Sequence, residues 1–328
     1  MVSKPGRIIV GIDPHAISMA AAALGARLAE GMDATLEVFM PVYNSQVSLA
    51  HFENREHLQH ARDGLVRRHL EHLEERLASA GFGGRTERHA AWDHPHEEAL
   101  IRRVLESAAD LLIVELPAGE AGGGRPLSAA QWQLVRHCPS PVLLTRGGTW
   151  RDAPVVVAAV DPGGRPGRAD ELDTRILRFA ERVALCAGGT VHAFHAWERT
   201  LRALIGDREE VLAPDRPETA TERRHREAVY SALAAAEVAP ARVSLVEGRP
   251  EQALPKYCRG VAADVVVMGA IARNPFGRIF IGSTAERVLE QLPCDLLVVK
   301  PGAFRTPVSR ERWPAEQAAT PILGVPGI

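Results

Sequence analysis

The residues whose types and spacing best suit ligand binding lie in one loop of the C-terminal half. Gly269 ends a short apolar run, and Gly282-Ser283-Thr284 opens the amphipathic segment AERVLEQL, with Arg273 in between. A glycine lets the backbone approach a ligand closely, and the N–H groups and dipole of a helix N-terminus attract phosphate. An arginine in the same loop adds positive charge. This arrangement predicts a nucleotide triphosphate site, and the simpler alternative is a strand-to-helix loop with a Ser or Thr cap.

Asp161 is a second candidate for ligand contact. It follows the apolar run 155–160 directly and precedes Pro162. Its carboxylate can accept a hydrogen bond from an adenine or ribose group, and the alternative is a turn aspartate before proline. Ligands of open parallel sheets bind beyond the carboxyl ends of the strands, where the strand order reverses. Asp161 and the loop after Gly269 are therefore predicted to face one cleft.

An internal repeat defines the elements that must position these residues. Residues 110–146 align without a gap on residues 264–300, so that DLLIVE pairs with DVVVMG and PVLLTR pairs with DLLVVK. Short continuous apolar runs of this kind are typical of strands buried on both faces of a parallel sheet. The starts also match, because RIIVGIDP at 7–14 resembles VVVAAVDP at 155–162. Each half is therefore predicted to be one domain.

Strand-like runs alternate with helix-compatible stretches in both halves, which indicates an α/β fold. Right-handed crossovers then give two tandem, doubly wound, five-stranded parallel-sheet domains. We predict one domain at residues 1–147 and a second at 153–303, with a Gly-rich linker between them. Residues 304–328 carry prolines and charges without a period and are predicted to form an irregular tail.

Composition and charge exclude several classes of protein. The formal net charge is -2 and 5% of the residues are aromatic, so we expect no nucleic-acid partner and no attraction to anionic membranes. The longest apolar runs fall far below the roughly 20 residues that span a bilayer. A strand-like run begins almost at once, leaving no room for a leader, which predicts a cytoplasmic protein. The four isolated cysteines form no CxxC pair, which excludes zinc-knuckle and thioredoxin-like motifs.

Residues 265–300 resemble the nucleotide-binding motif of the universal stress protein family. That motif reads G-x2-G-x9-G-[ST], and this chain has G-x2-A-x9-G-S-T, with Ala272 in place of the middle glycine. Alanine restricts the loop if that position needs a positive φ. The resemblance implies ATP, with Mg, as the ligand. It also implies that two further residues contact the nucleotide. These are Asp161, at the end of the first strand of the domain, and Ala196, near the end of its second strand.

Longer segments resemble the tandem two-domain type of this family, whose domains are similar to those of the adenine nucleotide alpha-hydrolases. The segments are IDPH at 12–15, AAWDHPHEEALI at 90–101, and the runs at 131–144 and 280–308. The resemblance implies a stress-associated cytoplasmic protein whose domains pack about a pseudo-twofold axis through their last strands. A tandem already supplies this pairing internally, so the sequence leaves a monomer and a homodimer equally open.

The first domain departs from the motif. At the positions of Gly269, Ala272 and Gly282-Ser283 it has Glu115, Ala118 and Ser128-Ala129. A carboxylate at Glu115 repels phosphate, and only Asp13 is retained. The first domain is therefore predicted to be a degenerate copy that does not bind nucleotide.

Histidines are concentrated in the first domain, where eight of thirteen lie between His51 and His96. The i, i+3 pairs at 57/60 and 69/72 can share a helix face and hold zinc if a carboxylate converges, but we expect solvated polar residues on a surface helix. His94 and His96 flank Pro95 after the third strand, where the alternative to an ordinary turn is that they face the cleft of the first domain.

Three functional hypotheses follow from these residues. The first is an ATP-binding regulator that uses the second domain. The second is a nucleotide-independent interaction or scaffold protein, or a binder of a hydrophobic ligand, since Phe276 and Phe280 make the 269–284 loop apolar. The third is a slow, metal-assisted ATP hydrolase. No nucleophile elbow, HExxH or Walker motif occurs, so we assign no catalytic residue and no metal ligand, and no protein partner is named by the sequence.

Overall fold

The computed structural model describes residues 6–48, 51–82, 86–117, 127–162, 169–198, 220–270, 288 and 291–311. The first half contains β1 (Arg7–Gly11), α1 (Ala20–Gly31), β2 (Thr35–Val42), α2 (Arg55–Ser79), β3 (Thr86–Trp92), α3 (His96–Ser107), β4 (Leu111–Glu115), α4 (Ala129–His137) and β5 (Val142–Thr145). The second half contains β6 (Val155–Ala159), α5 (Ala169–Ala187), β7 (Thr190–Trp197), α6 (Ala220–Ala236), β8 (Arg242–Glu247), α7 (Pro250–Val261), β9 (Val265–Gly269) and β10 (Asp295–Val299). The predicted alternation of strands and helices is confirmed.

The strands of both halves form one ten-stranded sheet, in the order β3-β2-β1-β4-β5-β10-β9-β6-β7-β8. All neighbours within a half are parallel, and each half has the doubly wound order expected from the sequence. β5 and β10 pair antiparallel, with Leu143 opposite Leu297. The predicted pair of five-stranded sheets is therefore continuous through the last strand of each half.

Helices cover both faces of this sheet. Side chains alternate along a strand, so Ile8 and Val10 enter one core cluster and Ile9 enters the other. The first cluster packs under α1, α2, α5 and α6, and the second packs under α3, α4 and α7. This double coverage explains why the strands appear in the sequence as continuous apolar runs. Among the described helices, none is both long enough and apolar enough to cross a membrane.

Two features lock the halves together outside the sheet. α1 and α5 cross so closely that a Cβ at Gly31 would lie 2.4 Å from the carbonyl oxygen of Cys186, so only glycine fits there. The guanidinium of Arg27, on α1, donates to the carbonyl oxygens of Trp150, Arg151, Asp152 and Ala187 at 2.6–3.3 Å. One side chain therefore ties the interdomain linker to both helices.

Basic residues at the ends of β5 and β10 make reciprocal contacts across the joint. Arg146 Nε donates to the carbonyl oxygen of Cys294 at 3.2 Å, and Lys300 Nζ donates to the carbonyl oxygen of Cys138 at 2.8 Å. Asp295 accepts hydrogen bonds at 2.8 Å from the Arg146 N–H and from Trp150 Nε1. Lys300 is almost fully buried, and this burial lowers its pKa to about 8.

We predict that the ionisation of Lys300 gives the protein a distinctive alkaline stability profile. Above about pH 8 the folded protein loses the Lys300 proton while the unfolded chain, with a pKa of 10.5, keeps it, so the free energy of unfolding rises with pH. Between about pH 8 and pH 9 it should rise by about 1 kcal/mol more in the wild type than in Lys300→Met, measured by urea denaturation. Lys256→Met, at an exposed position of α7, is the matched control. Parallel profiles for wild type and Lys300→Met would show that the prediction is wrong.

Candidate functional site

The described parts of the predicted nucleotide site meet at the carboxyl ends of three neighbouring strands in the second half. Gly269 is the last residue of β9, Asp161 follows β6, and Ala196 lies at the end of β7. β6 lies between β9 and β7 in the sheet, so the three residues share one edge at the point where the strand order reverses. Four other predicted contacts and the loop arginine lie outside the described residues: Ala272, Gly282, Ser283, Thr284 and Arg273.

Asp161 presents its carboxylate to solvent. Its backbone N–H donates to Asp173 Oδ1 on α5 at 3.0 Å, which fixes the turn after β6. The Asp161 side chain is 67% exposed, and Nδ1 of His195 lies 4.0 Å from Asp161 Oδ1. In the first half, by contrast, Asp13 Oδ1 accepts the His15 N–H at 2.8 Å and so stabilises its own turn. Both aspartates are exposed, and one oxygen of Asp13 is occupied by this turn hydrogen bond.

Two histidines form a hydrogen-bonded pair beside Asp161. His195, on β7, is buried, and its Nδ1 lies 3.0 Å from the carbonyl oxygen of Val160. A carbonyl can only accept, so His195 Nδ1 carries the hydrogen, and in the neutral ring Nε2 is an acceptor. His225 Nδ1, on α6, lies 2.9 Å from His195 Nε2 and donates to it. The neutral pair therefore leaves His225 Nε2 with a free lone pair.

The His225 ring also stacks on an aromatic wall. Its centroid lies 5.6 Å from that of Trp197, with an angle of 25° between the planes. Burial lowers the pKa of His225, and the neighbouring His195 lowers it further. Ala196, between His195 and Trp197, packs on the opposite face of the sheet with the second core cluster. His195 and Trp197 are buried, so the half-buried ring of His225 is the part of this aromatic group that reaches the surface, beside Asp161.

Gly269 has a packing role in addition to the predicted ligand approach. A Cβ at this position would lie 2.6 Å from Leu172 Cδ2 and 3.1 Å from Ile176 Cδ1, both on α5. Any side chain here would displace α5 from β9. The glycine is thus required by the close packing of helix on strand, whatever binds at the strand end.

Glu115 aligns with Gly269 and places a negatively charged side chain at the end of the corresponding strand, β4. Its Oε2 accepts the N–H of Ala21 at 3.3 Å, in the first turn of α1. Its Oε1 would lie 2.9 Å from a Cβ at Gly147, where φ is +77°. A carboxylate of the protein itself therefore sits at a helix N-terminus on this edge and would repel phosphate there.

The N-terminus of α4, which follows the β4 loop of the first half, is also satisfied internally. Ser128 Oγ accepts the Gln131 N–H at 3.3 Å, and Gln131 Oε1 accepts the Ser128 N–H at 2.8 Å. This capping box occupies two of the N–H groups at the start of α4. The absence of nucleotide binding in the first half stays a prediction, and Glu115 and this capping box are physical reasons for it.

His94 and His96 do lie at the carboxyl edge of the first half. A buried salt bridge holds the turn that carries them: Arg102 donates from Nε and Nη2 to the two carboxylate oxygens of Asp93 at 3.0 and 2.7 Å. His94 stacks on Tyr43 at 4.1 Å between ring centroids. Burial lowers the pKa of His96, while the negative charge of Asp13 opposes the shift. His96 therefore lies near Asp13, as expected if it faces the cleft of the first half.

The histidines of α2 show the contacts of solvated surface residues. His57 lies 3.7 Å from Glu53 and His72 lies 3.9 Å from Glu75, with both histidine side chains more than half exposed. Among the described residues, the group with metal-like spacing is Glu37, Glu87 and His89. Its two carboxylates already pair with Arg7, and Glu37 also pairs with Arg103, so the negative charge is balanced without a metal.

Sequence reasoning missed the pair of His195 and His225. The segment TVHAFHAW does place His195 and Trp197 on one face of a strand by alternation, and this signal was available. No local pattern connects His195 with His225, because they lie on different elements and meet only when α6 packs on β7.

We predict that the half-buried His225 makes the protein less stable in acid. The pKa of His225 lies below its usual value, so as the pH falls through about 6.5 the unfolded chain gains a proton that the folded protein excludes, and the free energy of unfolding decreases. His225→Asn keeps a donor near the Nδ1 position and removes the titration, so its stability should fall less steeply between about pH 7 and pH 5. Urea denaturation across this range measures both slopes. An unchanged slope in His225→Asn would contradict the prediction.

Comparison with known proteins places this geometry in a family. The model of the universal stress protein family matches residues 5–146 and again residues 155–300. Universal stress protein E of Photorhabdus laumondii is 23% identical over 306 residues, which cover 92% of this chain and 96% of that protein. Universal stress protein E of Escherichia coli K12 is 23% identical over 303 residues, with the same coverage.

Solved structures share the fold. A functionally unknown protein from Pseudomonas aeruginosa PAO1 has a TM-score of 0.66 at 23% identity, covering 90% of this chain and 92% of that one. A universal stress protein from Archaeoglobus fulgidus has a TM-score of 0.58 at 14% identity, covering 89% and 98%. The family model accounts for both halves separately, and the relatives span nearly the whole chain. The chain therefore belongs to the universal stress protein family, as a tandem of two domains of that family.

Proposed function

We propose that the protein is a cytoplasmic stress-response protein that binds one ATP, with Mg, at the carboxyl edge of its second half, and that ATP occupancy regulates its association with other proteins. The observation that carries this proposal is the exposed carboxylate of Asp161 at the switch point, beside the half-buried ring of His225. A carboxylate can accept from an adenine or ribose donor, and a planar base packs well on aromatic rings.

The residues proposed to bind the phosphates are identified from the sequence. Gly269 ends β9, and the sequence that follows carries Arg273, Gly282, Ser283 and Thr284. The resemblance to the family motif implies phosphate binding by this segment. Backbone N–H groups at the start of the following helix would hold the phosphates, with Mg neutralising part of their charge. Ala272 stands where the motif has its middle glycine, so the affinity depends on whether that backbone accepts an alanine.

The contrast between the halves supports a single site. Glu115 places a carboxylate at the edge of the first half, and the capping box of Ser128 and Gln131 uses the donors of α4. A polyanion would meet repulsion and occupied donors in the first half. We therefore propose a stoichiometry of one ATP per chain.

Isothermal titration calorimetry with ATP and Mg tests the proposal. We expect saturable binding of one ATP per chain, a loss of about 10-fold or more in affinity in Asp161→Asn, and loss of binding in Gly282→Val. Asp13→Asn is the matched control, because Asp13 occupies the same position in the first half, and it should bind as the wild type does. Ala272→Gly should bind at least as tightly as the wild type.

Two results would count against a nucleotide regulator. The first is equal affinity for ATP in the wild type, in Asp161→Asn and in Gly282→Val, which would mean that the nucleotide binds elsewhere. Binding that appears only in Ala272→Gly, or in no variant, would favour the interaction protein that works without nucleotide. In that case Gly282→Val should retain full association with partners.

A further inference from the structure

A cavity lies at the outer edge of the first half, away from the strand ends described above. β3 is the terminal strand of the sheet on this side. The cavity has a volume of about 500 Å³ and lies against β3 and the two helices beside it. Its walls include Arg62 and Val66 from α2, His89 and Trp92 from β3, Arg103 from α3, and Phe39 from β2. This volume is within the range of small-molecule sites.

Arg62 is the unusual residue of this cavity. The residue is 8% exposed, and its Nε is buried without a hydrogen-bond partner. No carboxylate among the described residues pairs with Arg62, although Asp63 follows it in the sequence and lines the same cavity. Asp63 instead accepts from Gln59 Nε2 at 2.8 Å. A guanidinium remains protonated when buried, so Arg62 is a positive charge that no carboxylate of the described residues pairs with.

Arg103, the other arginine of the cavity, has carboxylate partners. Arg103 pairs with Glu37 through Nε and with Glu106 through Nη1. Arg62 has only the ring of Trp92, whose centroid lies 5.1 Å from the guanidinium carbon. Stacking on an aromatic face orients a guanidinium but does not supply acceptors for its N–H groups. The cavity is thus lined by one satisfied and one unsatisfied guanidinium.

The lining of the cavity is mainly polar, with apolar side chains on both sides of β3. Trp92 and Val66 flank Arg62 on the α2 side of β3, and Phe39 lies on the other side beneath Arg103. An anionic group paired with Arg62 would be partly shielded from water, which strengthens the charge-assisted hydrogen bonds. A ring attached to that anion could pack on Trp92 and Val66.

We propose that this cavity binds a small organic anion, in which a carboxylate or phosphate group pairs with Arg62 and an attached apolar ring packs on Trp92. The site is independent of ATP binding in the second half, because it lies on the far edge strand of the first half. Its two recognition elements are the unpaired charge and the aromatic wall. Both are needed, so neither a neutral ring nor a bare anion should bind as well.

The probes are phenyl phosphate and benzoate, with benzyl alcohol as the neutral ring and inorganic phosphate as the bare anion. Each is titrated into the full chain and followed by ¹H–¹⁵N NMR, in which the Trp92 indole signal is the one missing from Trp92→Phe. We expect both ring-bearing anions to shift this signal saturably, and each bare or neutral probe to bind at least about 10-fold more weakly. The tighter of the two ring-bearing anions identifies the preferred head group.

Arg62→Met removes the charge and keeps the side-chain stem, and it should weaken the binding of phenyl phosphate at least about 10-fold. It should also unfold at a temperature equal to or above that of the wild type, since it removes an unpaired buried charge. Arg68→Met, at an exposed position of the same helix, is the matched control and should bind normally. Gly282→Val should also bind phenyl phosphate normally, which separates this site from the nucleotide site.

Three results would overturn the proposal. The first is the absence of saturable shifts of the Trp92 indole with either ring-bearing anion in the wild type, a result that needs no variant to fold. The second is equal affinity in Arg62→Met and wild type. The third is equal binding of benzyl alcohol and benzoate, which would show that the charge of Arg62 is not used.

Discussion

The antiparallel pairing of β5 with β10 is the constraint on which the rest of the structure depends. Three residue pairs, from Val142 with Val298 to Leu144 with Leu296, join two parallel half-sheets into one. Because the pair is antiparallel, the carboxyl ends of the strands in one half point opposite to those in the other half. The joint also buries Lys300 and Asp295, whose polar groups are satisfied by backbone and side-chain partners contributed by the first half and the linker.

The two halves show how one fold is used in two ways. At corresponding strand ends, Gly269 leaves room for α5 to pack closely, whereas Glu115 directs a carboxylate to the start of α1. The second half keeps an exposed carboxylate at Asp161, while Asp13 uses its own carboxylate to close a turn. A few side chains at corresponding edges therefore differ in their contacts, while the cores below them are built alike.

Local pattern predicted the repeat, the strands and the doubly wound order, because strands buried on both faces need continuous apolar runs such as DLLIVE and DVVVMG. It also placed Asp161 and Gly269 on one edge, whereas Ala196 came from the family resemblance. Strand pairing between domains leaves no period in the sequence, so packing through the last strands was likewise implied only by the resemblance. The pairing of His195 with His225 and the unpaired charge of Arg62 also escaped it. Both depend on which side chains meet after helices pack on strands, and many arginines and histidines share the same local pattern.

Arg27 has a consequence for how the protein can transmit a signal. Its guanidinium holds carbonyl oxygens of the linker and of α5, while the sheet runs unbroken beneath. Many two-domain proteins report a bound ligand by closing about a flexible hinge. Here the two halves are connected rigidly, because a change in the angle between them would break both the β5–β10 pairing and the Arg27 hydrogen bonds. A partner that senses the state of either half must therefore recognise the local surface of that half, and not a change in the angle between the two.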